Sequence, residues 1–361
     1  NRRVMKYLVS TLLILSVIQA VHSQNNVCFT IETNPTSAPG FGVFTKYVDV
    51  FGCGIYAESS VSDEKVLHAA AVWAELIDND ENGIVDDPAI LNELLLHEAM
   101  MPVFESDGNA AMNTFFTNYT GDGVSAVLWQ SEIDPSQTGH WGADATVEEI
   151  LHTINHVGHT NVYSSAFDLT PNSSLLSEAM DTARGGQWLS IPSPYPTNAW
   201  YHYDDFSCDY ECMAIEYMYW MIVTNMGILD DAATCAGIAN EWEPCSPALL
   251  QSMDLLGYGL ITDSTYKLPQ NAPDGNYCPT GLIIKEQKNN LITVFPNPAN
   301  NTITITRSAP SVQTLWIKNS VGQIVKTIKL INSSEQININ GLKSGVYFFD
   351  LNQTKKKLIV N

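Results

Sequence analysis

The order of apolar and polar residues divides the chain into a long segment with helical periodicity and a short tail with strand-like patterning. Apolar residues at helical spacing predict helices at 63–77, 88–100 and 209–225, the first of them after a Ser62 cap. From residue 291 onward, seven short runs rich in β-branched and aromatic residues alternate with turn residues. The patterning therefore predicts an α+β protein, with a mainly helical domain followed by a small immunoglobulin-like β-sandwich.

One further predicted helix, at 147–159, has an unusual polar face. Two carboxylates and three imidazoles fall within one arc of roughly 100°. They are Glu148, Glu149, His152, His156 and His159. Histidines at i and i+4 offer two nitrogen ligands to one metal ion, and this face has none of the Lys or Arg that solvated faces usually carry. We predict a metal site here, with a solvated histidine face as the alternative.

The segments on either side of this acidic region differ from it in composition. Met5 and Lys6, the apolar run 8–20 and the small Ser23 indicate a secretory signal peptide. The predicted order is a signal peptide at 1–23, an acidic domain at 24–270, a linker at 271–290 and a tail domain at 291–361. No other apolar run approaches the roughly 20 residues that cross a bilayer, so we predict no transmembrane segment.

Charge is distributed very unevenly along the chain. Between residues 24 and 281 the only lysine and arginine residues are Lys46, Lys65, Arg184 and Lys267. Of the 39 acidic residues, all but three lie in that same region. So negative a domain argues against nucleic acid or anionic membranes as partners, and it suits the binding of cations.

The segment between the first two predicted helices has the spacing of a cation-binding loop. Oxygen-bearing residues stand at positions 1, 3, 5 and 9 from Asp78, and a glycine at position 6 permits a sharp turn. This resembles an EF-hand or thrombospondin-type calcium loop, although position 12 is Ala89 rather than Glu. The candidate ligands are Asp78, Asp80, Asn82, the Ile84 carbonyl, Asp86 and, as a substitute, Asp87. We predict one structural calcium ion, with an acidic turn as the alternative.

Seven cysteines in an exported chain predict disulfide bonds and one free thiol. The nearest neighbours are Cys208 with Cys212 and Cys235 with Cys245, and the others are Cys28, Cys53 and Cys278. Spacing alone leaves the connectivity open.

The tail carries motifs of a known family. It opens with Val-Phe-Pro-Asn-Pro at 294–298, has a turn glycine within 317–325, continues with Gly-Leu-Lys-Ser-Gly-Val-Tyr-Phe-Phe at 341–349 and closes at 357–360. In combination these motifs resemble the type A C-terminal sorting domain of the type IX secretion system, over about a fifth of the chain. The resemblance implies a Gram-negative host, the type IX machinery as partner, and a protein that is extracellular or on the outer cell surface.

The acidic domain is similar to the gluzincin metallopeptidases in two short stretches, 152–156 and 177–181. The similarity implies zinc bound by His152, His156 and Glu178, with Asp181 steadying a histidine; His159 is an alternative third ligand. Thr153 occupies the position of the usual general base, so Glu149 or Glu148 is the candidate catalytic carboxylate.

Two other sets of residues bear on this site. Glu211 and Glu216, on the helix at 209–225, are further candidate ligands. Glu149-x-x-His152 also has the spacing of di-iron helix bundles, but the sequence has no second Glu-x-x-His. The aromatic-rich stretch 184–206 could line a substrate cleft.

These observations predict an exported, metal-dependent hydrolase, peptidase-like, with zinc or another transition metal and calcium as cofactors. Its substrate would be an extracellular peptide or glycan. The alternative is a non-enzymatic surface or matrix protein that binds calcium and a transition metal. A carboxylate base beside an open cleft favours the enzyme, whereas a sealed or fully exposed histidine face favours the binding protein.

Overall fold

The computed structural model describes residues 27–279, 293–306, 313–319, 323–351 and 354–360. The chain divides into two compact units, residues 1–282 and 283–361. The predicted signal peptide and residues 280–290 of the predicted linker lie outside the described residues. The described part contains both helices and sheets, so the chain is α+β. Within that part, no helix is long and apolar enough to cross a bilayer.

A five-stranded mixed sheet organises the first unit. Its strands, in spatial order, are β1 (Glu32–Thr33), β2 (Lys46–Val50), β3 (Cys53–Ala57), β4 (Met100–Phe104) and β5 (Leu128–Trp129). The first three strands are antiparallel, and β3, β4 and β5 run parallel. All five residues of β4 are buried, because both faces of the sheet are covered at its centre.

The described part of the first unit also contains α-helices. They are α1 (Asp63–Ile77), α2 (Pro88–Leu96), α3 (Ala110–Asn118), α4 (Thr146–Thr153), α5 (Thr160–Val162), α6 (Ser164–Phe167), α7 (Leu175–Ala183), α8 (Tyr210–Asn225), α9 (Ala232–Ile238), α10 (Pro247–Met253) and α11 (Leu255–Ile261). Of these, α1 and α4 contact strands of this sheet. Short 3-10 helices occur at Phe41–Val43 and Gln130–Glu132. The predicted helix at 63–77 is confirmed, and that at 209–225 is confirmed to within one residue.

The helix predicted at 88–100 ends earlier, at Leu96. Glu98 adopts a left-handed conformation with φ of 53°, which breaks the helical path. The Ala99 N–H donates to the Leu94 carbonyl oxygen at 2.8 Å, and the next residue begins β4. The apolar run therefore contains a helix and a buried strand, which periodicity alone does not separate.

The core of the first unit lies on both sides of the sheet. Helices α1 and α4 pack against each other and against sheet strands. A separate aromatic cluster of Phe44, Phe104 and Phe115 is buried beside α3. Phe115 is fully buried, which stabilises the fold by about 1.5–3 kcal/mol relative to leaving its ring exposed.

Residues 270–279 belong to the first unit, although their composition predicts a linker from residue 271. The N–H groups of Gln270 and Asn271 donate to the Asn79 side-chain oxygen at 2.9 and 2.8 Å. Cys28 and Cys278 form a disulfide bond that anchors the end of this segment. This segment is rich in Pro, Gly and Asn because its structure is irregular. Its backbone N–H groups donate hydrogen bonds to side chains on α1 and just after it.

The cysteine prediction is confirmed. Disulfide bonds join Cys28 to Cys278, Cys208 to Cys212 and Cys235 to Cys245. Cys53 is the free thiol of the described part, and it is buried in the core.

The second unit consists of short strands in two sheets. The strands are β6 (Thr293–Phe295), β7 (Thr302–Thr306), β8 (Gln313–Asn319), β9 (Ile324–Leu330), β10 (Ser334–Asn338), β11 (Gly345–Leu351) and β12 (Thr354–Val360). One sheet has the order β10-β7-β6 and the other β12-β11-β8-β9. Residues from both sheets form one buried apolar cluster. The seven predicted runs are thus strands, and the immunoglobulin-like class remains a prediction.

Candidate metal centre

The apolar face of helix α4 packs in the core, and its polar face points towards α8. Ile150 and Leu151 are fully buried, and Val147 is 1% exposed. Just before the helix, the buried Asp144 accepts hydrogen bonds from the Thr146 hydroxyl at 2.7 Å and the Gly139 N–H at 2.8 Å. These contacts fix the start and the rotation of the helix, so that its carboxylates and His152 face α8.

The facing residue on α8 is Glu216. Its Oε2 lies 3.4 Å from Nε2 of His152, and Oε2 of Glu149 lies 3.8 Å from the other ring nitrogen, Nδ1. Glu148, His152 and Glu216 each have a potential ligand atom within 4.8 Å of those of the other two. Tyr219, also on α8, lies beside Glu148. We call Glu148, Glu149, His152 and Glu216 the carboxylate–histidine cluster.

The cluster is largely shielded from solvent. The side chains of His152, Glu216 and Glu149 are 10%, 14% and 22% exposed. Nε2 of His152 is buried and makes no hydrogen bond of acceptable geometry to any described residue. Imidazole and carboxylate groups at these separations are the kind of ligand set that zinc, iron or manganese accepts.

Burial and neighbouring charges shift the pKa values of the cluster. Burial is the main factor that raises the pKa of Glu148 to about 8; the positive charge of His152 opposes it, and the nearby carboxylates add to it. Burial disfavours the charged form of His152, but Glu216 and Glu149 outweigh that effect and raise the pKa of the imidazole well above its usual value. The cluster therefore holds three closely spaced carboxylates and one imidazole. A bound cation would reduce the repulsion between the carboxylates.

His156 and His159 do not join this cluster. The segment Ile154–His159 is a π-helix, whose wider turn changes the direction of the side chains that follow His152. His156 is exposed, and its Nδ1 lies 3.0 Å from the Ser125 hydroxyl. His159 is 2% exposed and packs against Phe167, with ring centroids 5.8 Å apart. Burial lowers the pKa of His159 to about 4.

The predicted ligand Glu178 also lies elsewhere. Glu178 and Asp181 line a separate cleft beside α7 with a volume of about 580 Å³. Asp181 accepts hydrogen bonds from the Tyr210 hydroxyl at 2.9 Å and the Gln187 amide at 3.1 Å, so its hydrogen-bond partners in the described part are not histidines. The carboxylate opposite His152 is Glu216, one of the two further candidate ligands, and metal binding by the set that the gluzincin similarity implies stays a prediction. The sequence signal for Glu216 is a single acid within a run of buried aromatic and Met residues on α8.

The predicted calcium loop brings part of its candidate ligands together. Asp78, Asp80 and Asp86 each have a carboxylate oxygen within 4.8 Å of the others. Asp78 is fully buried and accepts from the Gly83 N–H at 2.7 Å, while Gly83 has the predicted turn conformation with φ of 87°. Asn82 turns its amide oxygen to the Ile84 N–H at 2.9 Å.

Asp87 does not complete this loop. One of its carboxylate oxygens caps α2 by accepting from the Ala89 N–H at 2.8 Å, and the other accepts from the Tyr163 hydroxyl at 2.6 Å. Asp87 is therefore a capping residue rather than the substitute for the missing Glu at position 12. Ile84 has a 71% exposed side chain on the outside of the loop.

The tail is similar to known proteins. Residues 293–361 match the family model of the secretion system C-terminal sorting domain. Beta-agarase A of Zobellia galactanivorans is 31% identical over 81 residues, which are 22% of this chain and 15% of that protein. This similarity covers only the tail, and the chain spans about 15% of the agarase. The protein thus carries a type IX sorting tail, which engages the type IX machinery and directs export to the cell surface or the extracellular space.

Proposed function

We propose that the acidic domain is a secreted metal-dependent hydrolase of a Gram-negative bacterium, with its metal bound by Glu148, His152 and Glu216. The observation that carries the proposal is the buried Nε2 of His152, which lies 3.4 Å from the Glu216 carboxylate without a well-aligned hydrogen bond to any described residue. A metal ion between the imidazole and the carboxylates would give every one of these groups a partner.

Glu149 is the residue we propose as general base. It lies beside His152 but outside the group of three closest ligand atoms, so it is free to accept a proton from a water molecule at the metal. Thr153, at the usual base position, is buried and donates its hydroxyl to the Glu149 carbonyl at 3.3 Å. Thr153 therefore stabilises the helix rather than the reaction. Substrates would be neutral or cationic peptides, because the acidic surroundings repel anions.

The second candidate function is a non-enzymatic surface or matrix protein that binds a transition metal and calcium. The low exposure of the cluster side chains, 10–22%, favours this function, because a closed site admits an ion more readily than a peptide. The grouping of Asp78, Asp80 and Asp86 supports a structural calcium ion in either case.

Metal analysis of the full chain, purified without chelator, tests the ligand set. We expect about one transition metal ion per chain, lost in His152→Ala and in Glu216→Gln. His156→Ala and Glu178→Gln are matched controls, since both residues lie outside the cluster and both variants should keep the metal. Loss of metal in these controls with retention in Glu216→Gln would favour the gluzincin-like set. Metal-free wild-type protein would contradict the site and the hydrolase together.

A peptide-hydrolysis assay then separates the two candidate functions. If Glu149 is the base, Glu149→Gln should keep the metal and lose roughly 10²–10⁴-fold in kcat. Unchanged kcat in that variant would remove Glu149 from the mechanism. Wild-type protein that holds the metal but hydrolyses none of a mixed peptide library would favour the non-enzymatic protein.

A further inference from the structure

The cleft beside α7 has walls that can form many hydrogen bonds. Its lining includes Asn172, Glu178, Asp181, Gly185, Gly186 and Asn198, around a volume of about 580 Å³. That volume falls within the range of about 300–1,000 Å³ typical of small-molecule sites. None of the residues of the carboxylate–histidine cluster lines it. We propose that this cleft binds a short neutral saccharide, a role that goes beyond the proposed hydrolase and is independent of its metal.

Free polar groups are the first support. The side chains of Asn172, Glu178 and Asn198 are exposed to solvent, and within the described part they form no hydrogen bond or ion pair with the protein. Asp181, by contrast, is held in place by Tyr210 and Gln187. The cleft thus offers one fixed carboxylate, one free carboxylate and two free carboxamides. This mixture of acceptors and donors matches the hydroxyl groups of a sugar, each of which both donates and accepts.

The second support is an aromatic surface beside the paired glycines. Gly185 has φ of 71°, and a Cβ there would lie 3.0 Å from Pro196. A Cβ on Gly186 would lie 3.2 Å from the indole nitrogen of Trp188, so the ring lies close against a backbone that has no side chain. Trp188 is 37% exposed. A partly exposed indole next to hydrogen-bonding groups is a surface on which the apolar face of a sugar ring can stack.

The charge of the residues that line the cleft disfavours anionic ligands. No lysine or arginine lines the cleft. Arg184, next to it in sequence, donates from Nη1 to the Trp188 carbonyl at 2.7 Å, and its Nε and Nη2 have no hydrogen-bond partner in the described part; because the side chain is fully buried, its guanidinium does not form part of the cleft wall. Glu178 and Asp181 would repel sulfated or uronic saccharides. The hydroxyl groups of a neutral saccharide can donate to the carboxylates and accept from the amides.

Isothermal titration calorimetry of the full chain tests the proposal. The probes are neutral glucan, galactan and mannan oligosaccharides of four units, a sulfated galactan tetramer and trilysine. We expect at least one neutral probe to bind and the sulfated probe not to bind. Failure of every neutral probe to bind would overturn the proposal, and binding of trilysine alone would make the cleft a cation site instead.

Variants then assign the binding to the cleft. Glu178→Ala, Asn198→Ala and Trp188→Ala should each weaken binding roughly tenfold or more, with folding checked by circular dichroism and Trp188→Phe as the milder variant. Glu64→Ala, at an exposed position on α1, is the matched control and should bind as wild type. Undiminished binding in both Glu178→Ala and Trp188→Ala would refute the site. Saccharide binding should persist in the metal-free His152→Ala protein, so that failure of the metal proposal and failure of this one are distinguishable.

Discussion

Glu75 illustrates how a single buried carboxyl group connects distant parts of the chain. It lies on α1, is 2% exposed, and accepts hydrogen bonds from the N–H groups of Gly275 at 3.0 Å and Asn276 at 2.9 Å. Burial raises its pKa to about 7, against the lowering effect of the Gly275 hydrogen bond. This residue therefore titrates near neutral pH while it holds the segment that precedes Cys278.

We predict that this carboxyl makes stability depend on pH. Between about pH 4.5 and 7 the folded state keeps the proton of Glu75 while the unfolded state releases it, so its contribution to the free energy of unfolding falls as pH rises. The slope is at most about 1.4 kcal/mol per pH unit. Urea unfolding at pH 5, 6, 7 and 8 should show that Glu75→Gln removes this slope, whereas exposed Glu64→Gln keeps it. Parallel pH profiles for Glu75→Gln and wild type would contradict the prediction.

The carboxylate–histidine cluster shows what the sequence predicts at the residue scale. Glu148, Glu149 and His152 share a face because helical periodicity holds up to Thr153, and the structure keeps them together. His159 leaves that face because Ile154–His159 is a π-helix, a feature with no local signature in this sequence. Glu216 joins because α4 packs against α8, and long-range packing of this kind is not encoded in spacing along the chain.

At the scale of elements, segments with strong local sequence signals fold as predicted, and segments with weaker signals do not. The helix at 63–77 begins after Ser62 and follows an apolar stripe, and it forms over the predicted residues. The loop that follows adopts its predicted turn at Gly83, because only glycine takes that backbone conformation without strain. The segment from residue 270 has the composition of a linker, but its amides find acceptors on and just after α1, which composition does not reveal.

The loop between α1 and α2 should respond to calcium. We expect calcium to raise the melting temperature of the full chain, since an ion present at 100 times its dissociation constant adds about 2.7 kcal/mol. Asp80→Ala should abolish the shift, because Asp80 is in the acidic group of the loop. Asp87→Ala should lower stability by about 1 kcal/mol through loss of the α2 cap and still respond to calcium. Equal melting curves in calcium and in chelator would contradict a calcium site.

At the scale of the whole molecule, the two compact units differ in architecture and in charge. The first is acidic, bonded by disulfides and built around a mixed sheet with helices. The second is made of strands, has its own buried cluster and contains the residues that match the sorting family. A tail with its own core and its own family motifs has the properties of a transferable export signal.

We therefore predict that the tail alone directs type IX export. Removal of residues 293–361 should leave the protein in the periplasm of its host, and fusion of residues 282–361 to an inert periplasmic protein should move that protein to the surface or the medium. Phe349→Asp in the fused tail should abolish export, because Phe349 is 2% exposed and a carboxylate in its place would disrupt the core. Val346→Thr, at a 41% exposed position on the same strand, is the matched control and should be exported normally. Immunoblots of periplasmic, membrane and medium fractions measure the outcome. A fusion that stays in the periplasm of a competent host would show that the acidic domain also carries part of the signal.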